Sequence, residues 1–177
     1  MARGAVASRT VTVLAMSAVL ALGAAPGGAS PPPSYVDSYV APYVDGQGAP
    51  ADDWRDEPQL AVGRVPRSDL VGMWQGVLWA DGYLPRSGVS CTYDAATAEA
   101  TRLWQSNHGL DADGIVGPAT FGFAGRRLTR IPPWTAYQGE ERNLPLRRSG
   151  SGAYEVYDGG RFHALRRDAV TLVQCRH

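Results

Sequence analysis

Two tryptophan–glutamine pairs, Trp74-Gln75 and Trp104-Gln105, constrain most what this chain can fold into. Each pair sits in an amphipathic run, and each run is followed by a loop and a new helix start. Those starts are Asp94-Ala95-Ala96-Thr97 and Gly117-Pro118-Ala119-Thr120. The glutamine-to-threonine interval is 22 residues in the first copy and 15 in the second, so the first loop carries an insertion. A helix–loop unit of this size cannot bury its own apolar face, and two such units are expected to share one core.

The spacing predicts three helices. The first spans Asp69 to Ala80, with Ser68 or Asp69 as N-cap, Leu70, Val71, Trp74, Val77 and Leu78 on one stripe, and Gly82 just beyond. The second starts at Asp94 and runs to His108, with Ala96, Ala100, Leu103 and Trp104 sharing a face and Gly109 as the stop. The third opens at Gly117-Pro118, where proline has no amide to satisfy. Between the last two, Asp113-Gly114 is a tight-turn dipeptide and Thr120 can satisfy a free backbone group in the first turn. At least one of Ile115 and Val116 is expected in the core, and Trp74 and Trp104 are read as core residues.

The run WQSNHGLDADGIVGPAT, residues 104–120, resembles the second half of a peptidoglycan-binding domain of the small three-helix type. The similarity extends over residues 67–126, with Trp74, Gln75, Trp104, Gln105, Asp113, Gly114, Gly117, Pro118 and Thr120 as its structural motif. It implies that the ligand is peptidoglycan, held non-covalently in a shallow groove between helices. The first unit departs from the pattern: Ser90-Cys91-Thr92-Tyr93-Asp94 stands where another Asp-Gly turn would be expected. A disulfide through Cys91 is the expected substitute for the missing turn glycines.

The remaining segments are read from their composition. Arg3 and Arg9 precede the apolar run Val11–Leu22 and the small residues GAAPGGAS, the order of a secretory signal peptide. Residues 1–29 are assigned to it, with cleavage after Ala29 preferred over Gly23 or Ala24. The run is too short for a stable membrane span. Export makes the only two cysteines, Cys91 and Cys175, an expected disulfide. Residues 30–66 read as a disordered Pro/Gly/acidic linker, with six acids against one arginine between Asp37 and Glu57. Residues 127–177 read as an Arg-rich extension. From Arg126 onward there are ten arginines and five acids. The acidic and basic stretches complement one another, although two separately solvated faces is the simpler reading. Within the extension, Tyr154–Tyr157 and Arg161–Leu165 form a β-hairpin about Asp158-Gly159-Gly160, Val170–Val173 adds a third strand, and residues 131–150 read as a connecting loop. The expected fold is thus mainly α: a three-helix bundle with a short C-terminal β-meander.

The formal net charge is zero, which argues against a nucleic-acid partner. No HExxH, zinc-spaced His/Cys cluster or Gly-x-Ser-x-Gly elbow occurs, so no catalytic residue, metal or cofactor is assigned. His108 reads as a surface residue facing a helix dipole, and His163 lies on an expected strand. Trp79 and Tyr83, near the end of the first helix, are the expected exposed aromatics for a glycan or peptide. Arg86 and Arg102 are the candidates for stem-peptide carboxylates. The leading expectation is a secreted, monomeric, wall-associated binding module without enzymatic activity. Its rivals are a protein-interaction module that uses the basic segment, and a small wall hydrolase whose active site is built from the Arg-rich C-terminal segment, with His163 as the residue to test.

Overall fold

The computed structural model describes residues 42–176. The expected signal peptide and the start of the linker lie outside the described residues. Three helices come first in the chain: α1 (Asp69–Ala80), α2 (Ala95–Asn107) and α3 (Pro118–Gly125). Five strands follow: β1 (Leu128–Ile131), β2 (Trp134–Gln138), β3 (Asn143–Arg148), β4 (Tyr154–Asp158) and β5 (Arg161–Ala164). They form one antiparallel sheet in the order β1-β2-β3-β4-β5. The expectation of a mainly α chain is therefore corrected: helices and sheet contribute to one α+β core.

The helices begin where local chemistry places them. The Ser68 side chain accepts from the Val71 amide at 3.4 Å, and Asp94 accepts from the Thr97 amide at 2.8 Å. Both satisfy donors that the first helical turn leaves free. Pro118 follows Gly117 at the start of α3. The buried face of α2 differs from the expected one. Thr97, Ala98, Ala100, Thr101, Trp104 and Gln105 are buried, while Ala96 and Leu103 are exposed. The two threonines replace apolar residues on the inner stripe because both hydroxyls are used, Thr97 Oγ1 by Gln75 and Thr101 Oγ1 by the Trp74 indole.

The sheet is larger than its sequence signal. Residues 131–150, expected to be a loop, supply all of β2 and β3. Strand β3 alternates, with outward positions that are polar or proline, whereas β2 buries Thr135, Ala136 and Tyr137 in succession between exposed Trp134 and Gln138. In β3, Leu144 and Leu146 are buried, while Asn143, Pro145 and Arg147 are exposed. The register runs Leu128↔Tyr137, then Tyr137↔Leu144, then Leu146↔Val156. The expected third strand at Val170–Val173 does not form. Two acids capture its amides instead: Asp69 accepts from Thr171 at 2.7 Å and Leu172 at 3.1 Å, and Asp158 accepts from Val173 and Gln174. The segment ends in a 3-10 turn, Val173–Cys175.

Residues 42–66, read from composition as part of a solvated tether, are built into the fold. Val44 and Trp54 are fully buried, and Leu60 is nearly so. Tyr43 bridges to Arg166, Asp45 to Ala153, and Leu60 to Val116. The Trp54 ring stacks on Tyr137 at 6.1 Å and meets the edge of Tyr154 at 6.0 Å. The acidic and basic stretches are paired rather than separately solvated. Glu57 takes two 2.6 Å hydrogen bonds from Arg167, Asp45 lies 3.0 Å from the same guanidinium, and Asp53 pairs with Arg148 at 2.7 Å. Burial pushes the Glu57 carboxyl up to about 7 despite the opposing pull of Arg167.

Candidate functional site

The two Trp-Gln pairs act as equivalent clasps. Gln105 donates to the Ile115 carbonyl at 2.9 Å, Thr120 Oγ1 at 3.0 Å and Asp113 at 3.0 Å, and accepts from the Gly114 amide at 2.9 Å. Gln75 donates to the Thr92 carbonyl at 3.0 Å and Thr97 Oγ1 at 2.8 Å. It accepts from the Ser90 and Cys91 amides at 3.0 and 2.8 Å. Each buried amide thus pins the loop that follows its own helix to the start of the next helix. The tryptophans meet edge to face, with centroids 5.2 Å apart.

The clasps also explain the departure in the first loop. Gly114, whose amide Gln105 binds, has φ +73°. Its counterpart is Cys91, the only non-glycine residue with positive φ among the described residues, at 59°. Cys91 is bonded to Cys175, 84 positions away in the chain. The cysteine therefore stands in the left-handed position where the second unit uses glycine. Gly72 on α1 makes room for it: a Cβ there would lie 2.5 Å from Cys91 Sγ.

Below the clasps, the helices are tied to the sheet by Asp81, which follows the last residue of α1. Its carboxylate is buried and accepts from the Trp104 indole at 2.6 Å, the Tyr137 hydroxyl at 2.6 Å and the Glu140 amide at 2.7 Å, with Arg127 at 3.3 Å. Burial and the adjacent Asp81 charge push the Tyr137 hydroxyl far above its ordinary pKa, so it remains a donor. His108 is not the surface residue expected. Its ring lies 4.2 Å from the Trp104 ring, Nδ1 is 2.6 Å from the Trp104 carbonyl, and Nε2 is 3.1 Å from Glu140. Every member of this network has a structural partner. His163 is buried in β5, with its Nε2 facing the Arg161 guanidinium at 3.2 Å. Among the described residues, no group of three or more His, Cys, Asp or Glu side chains is placed to hold a metal ion.

The four candidate ligand residues divide. Trp79 and Arg86 come together. The Arg86 guanidinium lies 4.8 Å from the Trp79 ring centroid, and both line a cleft of about 220 Å³ between α1 and the sheet. Tyr83 lies outside it, with its hydroxyl taking a 2.8 Å hydrogen bond from Asn107. Arg102 pairs with Glu99 at 3.1 Å and packs over the Gly114 turn. Sequence reasoning missed two residues of this region. Arg142 also lies against Trp79, at 5.3 Å, and donates to the Trp79 carbonyl at 3.0 Å. Gln174 lines the cleft wall, and its buried Oε1 has no hydrogen-bond partner. Arg142 is one of many arginines in its segment, and Gln174 reaches α1 only through the fold and the disulfide, so neither carried a local signal. Gly76 opens the cleft floor, since a Cβ there would come 3.2 Å from Leu144.

The clasped loops and the helical wall of this cleft lie within one recognisable stretch of sequence, while the sheet supplies the opposite wall. Residues 67–123 match the putative peptidoglycan binding domain family. The matched segment is about a third of the chain and contains α1, α2 and most of α3. Of the residues at the cleft, Trp79 and Arg86 fall inside the matched segment, whereas Arg142 and Gln174 fall outside it. Comparison with curated proteins and with solved structures gave no match for the chain. No helix among the described residues is long and apolar enough to cross a membrane.

Proposed function

We propose that this chain is an exported, non-enzymatic protein that binds peptidoglycan non-covalently through the cleft at Trp79 and Arg86. The family match to residues 67–123 carries the ligand class. The cleft supports the location, because it joins a half-buried aromatic ring to a guanidinium with no carboxylate partner among the described residues. A ring face can cover the apolar side of a sugar or a peptide side chain, and a free guanidinium can take a carboxylate through two parallel hydrogen bonds. The N-terminal order of charge, apolar run and small residues supports export, and the disulfide is consistent with an oxidising compartment. Tyr83 and Arg102 lie outside the cleft and take no part in this reading.

The test is sedimentation with purified insoluble peptidoglycan. The mature protein is expected to pellet with the wall, and Trp79→Ala and Arg86→Ala are each expected to reduce the bound fraction. Release of soluble wall fragments by the protein would refute the non-enzymatic reading. Sedimentation no greater than that of a non-binding control would refute wall binding itself.

A further inference from the structure

The outer face of the sheet carries an aromatic strip that the matched segment does not contain. Trp134 is 40% exposed and Tyr157 51% exposed, and Ile131 beside them is 45% exposed. Phe162 links the two rings, with centroids 4.9 Å from Trp134 and 5.4 Å from Tyr157. The Arg147 guanidinium packs 4.4 Å from the Phe162 centroid. These residues share one face by register: Ile131 pairs with Trp134, and Tyr157 with Phe162. Ile131, Trp134, Tyr157 and Phe162 line, together with Asn143, an open depression of about 510 Å³. Burying such rings would be favourable, so a contiguous exposed set of this kind marks a contact surface.

The strip runs into the Trp79 cleft. Pro145 and Tyr157 line both depressions. The cause lies in the sequence: Pro145 has no amide to extend the ladder, and the β3–β4 pairing begins only at the next residue, Leu146↔Val156. One continuous path therefore leads from Trp134 through Tyr157 and Pro145 to Trp79 and Arg86. It begins on flat rings and ends on a free guanidinium and an unsatisfied amide oxygen, Gln174 Oε1.

We infer that this outer sheet face is a second binding surface, and that its ligand is a glycan strand of N-acetylated pyranose rings. The choice of polymer rests on the wall-binding reading; the surface itself does not. A pyranose ring presents C–H groups on its face and hydroxyl or acetamido groups at its edge. Exposed aromatic faces cover the former, and the Asn143 amide can hydrogen-bond the latter. The path suits a polymer because sugar units would lie on the rings, while a carboxylate or N–H further along would meet Arg86 or Gln174. The strand would span both the helical segment and the sheet, so the C-terminal half contributes to recognition.

The experiment titrates the full mature protein with a β-1,4-linked N-acetylglucosamine hexamer, followed by tryptophan fluorescence, alongside sedimentation with insoluble peptidoglycan. Trp134→Ala, Tyr157→Ala and the double variant are compared with wild type, and unchanged thermal melting verifies their folding. The hexamer is expected to bind wild type. Each single variant should weaken that binding about two- to tenfold, by analogy with other aromatic contacts, and Trp134→Phe should retain most of it. If wild type pellets with wall but does not bind the hexamer, the glycan strip is refuted and the wall-binding reading stands. The same holds if the double variant binds the hexamer as tightly as wild type. If wild type binds neither probe, both fail. A concentration-dependent dimer that Trp134→Ala abolishes would show that the face is covered by a second copy, and would also overturn the inference.

Discussion

Replacing Gln105 by Met tests whether the Trp-Gln pair is a clasp or simply core filling. Methionine has nearly the same length and volume, so little packing is lost. What disappears is the amide that donates to Ile115, Thr120 and Asp113 and accepts from Gly114. Gly114 N–H is then buried without an acceptor. The Ile115 carbonyl keeps only a long 3.5 Å contact with Thr120. An orphaned buried backbone group costs about 1–3 kcal/mol, so two of them, offset in part by the gain of an apolar thioether, give an expected loss of about 2–4 kcal/mol. Gln105→Glu should be worse than Met at neutral pH, because it places a second carboxylate against Asp113 and a like-signed oxygen against Ile115. The assay is urea unfolding of the oxidised protein at neutral pH, with hydrogen exchange reporting residues 113–116. A loss below about 1 kcal/mol for Met, with those amides still protected, would refute the clasp and leave the Asp113 turn as the sole support of the loop.

Two further predictions follow from pairing across the chain. Reducing the Cys91–Cys175 bridge, or replacing both cysteines by serine, should lower stability by about 4–5 kcal/mol for an 84-residue separation, measured by denaturant unfolding with and without reductant. Glu57 predicts a pH dependence. Its folded-state pKa is raised from 4.5 to about 7, so between those values the folded state keeps a proton that the unfolded chain has released. This group's contribution to stability therefore falls as pH rises through that window. Glu57→Gln should flatten that part of the profile of melting temperature against pH; an unchanged slope would refute the assignment.

The legible parts of the fold are those whose determinants are local. Ser68 and Asp94 cap their own helices, and the first helix ends at Ala80 as its pattern requires. The Trp-Gln repeat was legible because both copies use the same residue types at the same places. The burial of residues 42–66 was not legible, because composition treats acids as solvated. The partners that neutralise Asp53 and Glu57 lie 95 and 110 residues away. Strands β2 and β3 were hidden for the opposite reason. In β3 the outward positions face a solvated surface, so Asn143, Pro145 and Arg147 mask the leucines between them, and β2 buries three residues in a row with no period-two pattern to read. At the candidate site, Trp79 was legible as an aromatic near the end of an amphipathic helix, and Arg86 as a nearby cation suited to a carboxylate. Trp134 and Tyr157 could not be combined, since only the sheet register puts them on one face.

The interleaving of the two ends of the described chain has a consequence for biosynthesis. Val44 hydrogen-bonds to Leu165 and Tyr154, and Trp54 sits against strands made from residues 134–158. A chain emerging from its N-terminus must hold Val44 and Trp54 exposed until the residues of β2 and β4, and Leu165 just beyond β5, that cover them have been synthesised. The helices can start early, but the interior stays open until the final strand and the last cysteine arrive. Truncation near either end of this region should therefore leave a collapsed, aggregation-prone intermediate rather than a smaller native protein.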